Sequence, residues 1–310
     1  MKPMKAITVL ALTVAMAMVL VACGGNSNAS TSSGASSSAA SGDATGQAPS
    51  ESYMRTKFDV TYNDGSTMGN SSTFDDRGRR LTGSWEMASP DLAYDCDSTI
   101  TDWDEYGHTT KIVETYDYGG GELATMTGEV SHQVNEDGSI ASNTWMYKPD
   151  KEDKFSSEKI TITYDYGSDV QVFRKVETKT EFFDKTGALL TSKTLTSEFD
   201  EDGLETRYAY KYVEANGTET SKTADITWTK DADGKPVSYT IVSSQNGADT
   251  VTGTGDVKTD ESGLISWVGN VKTDGRALPT TATIGYAKID NPLPNAYEGW
   301  KSFMLSDVIL

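Results

Sequence analysis

Phe199-Asp200-Glu201-Asp202-Gly203-Leu204-Glu205-Thr206-Arg207-Tyr208-Ala209-Tyr210-Lys211-Tyr212 carries the pattern that decides the fold. Asp200 stands three residues before Gly203, so its carboxylate can accept turn amides while the glycine takes the positive φ that other residues resist. Tyr208, Tyr210 and Tyr212 then alternate with Arg207 and Lys211, the period of a strand with one buried and one wet face. The same turn signal recurs at Asp75/Gly78, Asp104/Gly107, Asn135/Gly138, Asp184/Gly187, Asp231/Gly234 and Asp260/Gly263. Further turn signals stand at Asn63-Asp64-Gly65, Ser89-Pro90-Asp91, Gly119-Gly120-Gly121, Pro149-Asp150, Asp165-Tyr166-Gly167, Asn216-Gly217, Asn246-Gly247 and Asp274-Gly275.

Turn centres from 64 to 274 therefore recur about every 15 residues, which predicts an all-β antiparallel meander of about sixteen strands over residues 53–310. Ile160, Ile162, Tyr164 and Tyr166 oppose Lys159, Thr161 and Thr163, and Ala224, Ile226 and Trp228 oppose Asp225, Thr227 and Thr229. Laid flat, sixteen strands would span about 77 Å, so the sheet is expected to curl, spiral or split into two layers. A closed, lipid-facing barrel is disfavoured. It would leave a lumen, and Lys175, Glu177, Lys179 and Glu181 load one face with charge while Val176, Thr178, Thr180 and Phe182 make a poor lipid band on the other. Thr115-Tyr116-Asp117-Tyr118-Gly119 and Thr163-Tyr164-Asp165-Tyr166-Gly167 are identical and suggest a repeated hairpin unit. Asn291-Pro292-Leu293-Pro294 ends the pattern. Tyr297, Trp300, Phe303, Met304 and Ile309 then fit a short C-terminal helix or irregular cap over an open sheet edge.

The amino terminus reads as an address. Lys2 and Lys5 precede an apolar run from Ala6 to Leu20, of signal-peptide length and too short to span a bilayer. It ends in Leu20-Val21-Ala22-Cys23-Gly24, which resembles the lipobox of bacterial lipoproteins. That resemblance implies cleavage of residues 1–22 and acylation of Cys23, hence a lipid anchor on the extracytoplasmic face of a bacterial membrane, at the cell surface or in the envelope. Residues 23–52 follow as a tether: 21 of the 29 residues from 24 to 52 are Ser, Gly or Ala and none is aromatic, a composition that stays disordered. Such a coil reaches about 30 Å.

Phe74-Asp75-Asp76-Arg77-Gly78-Arg79-Arg80-Leu81 resembles the YD repeat of Rhs-type bacterial surface proteins, and Trp103-Asp104-Glu105-Tyr106-Gly107, Phe183-Asp184-Lys185-Thr186-Gly187 and Phe199-Asp200-Glu201-Asp202-Gly203 are similar. The resemblance implies hairpins within a spiralling sheet. It departs in having Phe or Trp where Tyr is expected and in lacking the Arg after most glycines.

Composition excludes several chemistries. Acidic residues outnumber basic ones 46 to 27, a net charge of −19, which argues against a nucleic-acid partner. Two Cys and two His leave no zinc site, and with Cys23 acylated, Cys96 stands alone as a structural thiol. Asp200-Glu201-Asp202-Gly203 and Asp231-Ala232-Asp233-Gly234 suit a hard cation, but a hairpin turn accounts for the same residues, and Ala209 stands where an EF-hand needs its last carboxylate. Ser156-Ser157-Glu158-Lys159 and Lys185-Thr186-Gly187 match two motifs of penicillin-recognising enzymes without the third. Ser131 and His132 alternate on one strand and so form no dyad. No cofactor motif is present. The expectation is a membrane-anchored, non-enzymatic binding or structural module, with a carrier of an apolar ligand or lipid in a curled sheet, or a carbohydrate-active enzyme, as alternatives. Its partners would be the membrane, through the acyl chains, and an envelope glycan, protein or lipid. Trp85, Trp103, Trp145, Trp228 and Trp267 are the candidates for an exposed stacking platform.

Overall fold

The computed structural model describes residues 52–309 except 90–92, 118–122, 136–138, 151–156, 249 and 294–297. The leader, the lipobox Leu20-Val21-Ala22-Cys23, the tether as far as Glu51, and the turn signals at Pro90-Asp91 and Gly119-Gly121 lie outside the described residues.

The first half of the wall is built from β1 (Ser52–Thr61), β2 (Thr67–Phe74), β3 (Arg80–Ala88), β4 (Ala93–Trp103), β5 (Thr109–Asp117), β6 (Leu123–Val134), β7 (Ile140–Pro149) and β8 (Glu158–Tyr166). The second half follows with β9 (Phe173–Phe183), β10 (Leu189–Phe199), β11 (Glu205–Glu214), β12 (Glu219–Lys230), β13 (Pro236–Gln245), β14 (Thr250–Thr259), β15 (Ile265–Thr273) and β17 (Thr281–Ile289). A two-residue strand, β16 (Arg276–Ala277), sits beside β15, and α1 (Ser306–Ile309) ends the described chain. Each wall strand pairs antiparallel with its neighbours in sequence, and β17 pairs with β1 from Thr61↔Thr281 to Ser52↔Ile289. The all-β meander is thus a closed sixteen-strand barrel with one extra short strand.

Closure completes the curl that the strand count requires and removes both sheet edges. The C-terminal segment therefore has no open edge to cover. The turns form by the chemistry read from their residues. Oδ1 of Asp200 accepts the amides of Asp202 and Leu204 at 3.0 and 2.9 Å, and that of Asp260 accepts Ser262 and Leu264 at 2.9 and 3.1 Å. Their glycines, Gly203 and Gly263, sit at φ +80° and +86°. Asp231 is engaged in the same way by Asp233 and Lys235, so both acidic loops considered for a cation spend their leading carboxylates on backbone amides. Of the duplicated pentapeptide, Thr115, Tyr116 and Asp117 end β5 and Thr163, Tyr164, Asp165 and Tyr166 end β8, three strands apart; because neighbours alternate in direction, these two stretches point to opposite ends of the barrel.

Alternation sorts the side chains by polarity. Along β4, Tyr94, Cys96, Ser98 and Ile100 are buried while Ala93, Asp95, Asp97, Thr99 and Thr101 are exposed. On β9, Val176, Thr178 and Thr180 face inward, and Lys179 pairs with Glu181 outside at 2.6 Å. The expected lumen is absent among the described residues because large side chains take the space: Trp145, Tyr116, Tyr147, Tyr208 and Tyr239 are all at most 2 % exposed. Glycines on the inner wall make room for them. A Cβ at Gly128 would lie 2.8 Å from the Tyr147 ring, and one at Gly255 would lie 2.6 Å from that of Tyr239.

The remaining space is closed by the C-terminal segment, which plugs one end. Its backbone bonds run from Leu293 to Arg77, Gly299 to Val170, Lys301 to Gln171 and Phe303 to Gly203, so it crosses the β2–β3, β8–β9 and β10–β11 turns. Phe303, Met304, Leu305 and Val308 then enter the core, with Leu305 and Val308 fully buried.

Candidate functional site

Two places concentrate polar chemistry. The first lies wholly inside the wall. Arg80 lies over Gly83 and beside Ser98, and Glu114 accepts from the hydroxyls of Tyr116 and Tyr147 at 2.5 and 3.3 Å. Tyr147 reaches Glu114 by laying its ring across Gly128 of the intervening β6. Burial raises the Glu114 carboxyl above its ordinary value. Burial, followed by the neighbouring Glu114 charge, pushes Glu158 up to about 8, with Lys193 opposing. Burial draws Lys193 down to about 8 against the pull of Glu158. None of these groups is more than 8 % exposed, so their acid–base capacity bears on the barrel's stability. Cys96 adjoins this cluster, 6 % exposed, with its thiol pushed up by burial and then by Glu114; that is the environment of an inert structural thiol.

The two histidines are likewise internal. His108 faces Asp104 at 3.0 Å. His132 is buried while Ser131 is exposed, in keeping with their alternation. Burial holds His132 down to about 4; the ring lies between two oxygens, Asn143 Oδ1 at 2.6 Å from Nδ1 and the Thr109 carbonyl at 3.2 Å from Nε2.

The five tryptophans do not assemble into a platform. Trp85 (6 % exposed) packs on Tyr94, and Trp145 (1 %) stacks on Tyr147, both inside because their alternation faces them inward. Trp103 and Trp228 are partly buried and anchored through their indole N–H groups, to the carbonyls of Arg80 at 3.0 Å and Glu205 at 2.8 Å. Trp267 lies on the outer wall, over Gly269 and under the Lys258 ammonium.

The second place is where the plug meets β1, β9 and β17. A cavity of about 60 Å³ is lined there by Tyr53, Arg55, Phe173, Glu298, Trp300 and Asp307, among others. Arg55 Nη1 donates to Asp307 Oδ2 at 3.1 Å, and Glu298 accepts from Tyr166 Oη at 2.9 Å. Ser302 Oγ accepts the Phe173 amide at 2.8 Å. Beside the cavity, Glu205 takes the amide and hydroxyl of Ser306 at 2.7 and 2.8 Å, tying the start of α1 to β11. Burial raises Asp307, with Arg55 opposing, and pushes Glu205 up to about 7. Tyr53 and Trp300 form a tilted ring pair 5.3 Å apart at the rim. No local pattern marks this group, because Tyr53 and Arg55 open the first strand, Phe173 opens β9, and Trp300 and Asp307 lie in the C-terminal segment. The only signal was a tryptophan in a segment without strand pattern. The hollow that an apolar carrier would use is filled by Tyr, Trp, Ile and the plug itself.

No family model matches the chain, and no curated protein matches it. Two solved structures described as porin-like proteins, from Bacteroides uniformis and Bacteroides vulgatus, are similar over 75 % of this chain and 98 % of each of theirs. Both are 11 % identical, with TM-scores of 0.41 and 0.37.

Proposed function

We propose that this chain is a lipid-tethered envelope protein whose barrel works outside the bilayer, in water, as a non-enzymatic binding or structural module. The polarity of the wall carries the reading: apolar and aromatic side chains point inward, while Asp, Lys, Glu and Thr face out on strands such as β4 and β9. A wall crossing lipid needs the reverse arrangement, because charged side chains at mid-bilayer cost about 2–4 kcal/mol each. Membrane attachment then falls to acylated Cys23, where two acyl chains suffice for stable anchoring. Strand β1 begins at Ser52 beside the plug, so the tether meets the barrel at its plugged end.

The test is metabolic labelling with a fatty-acid probe, followed by membrane fractionation. Wild type should be labelled and membrane-bound, and Cys23→Ala unlabelled and released by an alkaline wash. An unlabelled wild type, or a Cys23→Ala protein that resists the wash, would overturn the reading.

A further inference from the structure

The cavity beneath the plug has two polar atoms of opposite hydrogen-bonding sense without a partner among the described residues. Asp307 is 3 % exposed; its Oδ2 is held by Arg55, and its Oδ1 has no donor. The indole N–H of Trp300, on the same lining, has no acceptor. Leaving a buried donor and acceptor unmade is costly, and the cost is recovered by a ligand that supplies both senses at once. A small cation offers donors only and a carboxylate acceptors only, whereas a hydroxyl offers both. The walls add a second constraint. Half-buried Tyr53 presents ring surface on the same lining, a pairing that suits a ligand with an apolar C–H face and hydroxyl edges. About 60 Å³ takes roughly four waters or the edge of one ring.

We propose that this cavity is a saccharide subsite, in which Asp307 and Trp300 engage hydroxyls at one edge of a sugar ring whose face rests on Tyr53. Arg55 is the positioning residue: its bond to Oδ2 fixes the carboxylate with Oδ1 left for the sugar. The assignment deepens the binding-module reading and rests on it, but it does not depend on the anchor, which labelling tests separately.

Full-length protein, purified in lauryldimethylamine oxide to keep sugar-headed detergents away, is titrated with the methyl β-glycosides of glucose, galactose and N-acetylglucosamine. Saturation-transfer NMR and tryptophan fluorescence report binding. At least one glycoside should bind with a Kd in the range of about 1–10 mM, as expected for a few buried ligand atoms. Trp300→Phe keeps the ring and loses the N–H, so it should weaken binding about fivefold, the equivalent of one neutral hydrogen bond. Asp307→Asn should weaken it about tenfold or more, and Trp267→Phe on the outer wall should leave it unchanged. Failure of all three glycosides would mean that the cavity holds water only and would overturn the proposal. So would full affinity in Trp300→Phe, or methylammonium binding there in place of the sugars.

Discussion

Gly203 and Gly263 occupy equivalent places in two turns at the same end of the barrel, at φ +80° and +86°, each three residues after an aspartate that holds two turn amides. A Cβ on Gly263 would meet nothing within 4 Å; one on Gly203 would lie 2.8 Å from the carbonyl oxygen of Lys301. The Gly263 turn is thus explained by its own residues, and the Gly203 turn needs a segment about a hundred residues away. The wall follows local rules of turn chemistry and alternation, while the plug follows from what must fill and close the wall.

The broadest way to break this comparison is to delete residues 298–310. Phe303, Met304, Leu305 and Val308 are all buried, and at about 1.5–3 kcal/mol for each side chain their loss should remove most of a typical domain's stability. Urea unfolding should lose its cooperative transition or shift far to low denaturant; an unchanged midpoint would show that the wall stands without the plug. Leu305→Ala sharpens the point. A fully buried leucine should cost about 2–5 kcal/mol, against about 0.5 or less for Leu189→Ala, which is 48 % exposed at the far end. The glycine pair comes next. Gly263→Ala should cost about 1–2 kcal/mol for the left-handed backbone alone, and Gly203→Ala more by about 1–3 kcal/mol for overpacking against Lys301. Equal losses would mean that the segment moves aside freely.

The smallest effect is a pH slope set by the wall's own interior. Glu158 is raised from 4.5 to about 8, so the folded state holds a proton that the unfolded state has released. Its contribution is fully present below about 4.5 and is lost as pH rises towards 8, by at most about 1.4 kcal/mol per pH unit. His132, lowered from 6.5 to about 4, slopes the other way between those values, and Glu205 stops contributing above about 7, so the Glu158 effect is read above pH 7. Stability measured from pH 7 to 8 should fall in wild type and flatten in Glu158→Gln; an equal fall in both would assign the slope elsewhere. Glu205, raised to about 7, adds its own fall below that pH and couples the plug to the same titration.

Most of the wall was legible because each hairpin is specified within about 15 residues. Asp260 and Gly263 fix a turn whatever surrounds them, and Asn246-Gly247 and Asp274-Gly275 adopt positive φ at both positions, as such pairs do in tight hairpins. Tyr208 and Tyr212 declare the inner face of β11 by position alone. The tryptophans were harder, since alternation says which face a ring is on but not whether that face is covered. Trp85 and Trp145 went to the core, and Trp267 went outside, where Gly269 leaves space for it. The cavity could not be read at all: Tyr53 and Arg55 open the chain's first strand, while Trp300 and Asp307 lie in its last few residues.

The sequence by itself determined the strands, the turns and the two faces, because these depend on side-chain period and on backbone conformations available to Asp, Asn and Gly within a few residues. The tertiary structure alone decided that β1 meets β17, that the interior is filled, and that the last residues close one end. Edge pairing, packing volume and the burial of Asp307 against Arg55 arise only between segments far apart in the chain, and no local pattern encodes their meeting.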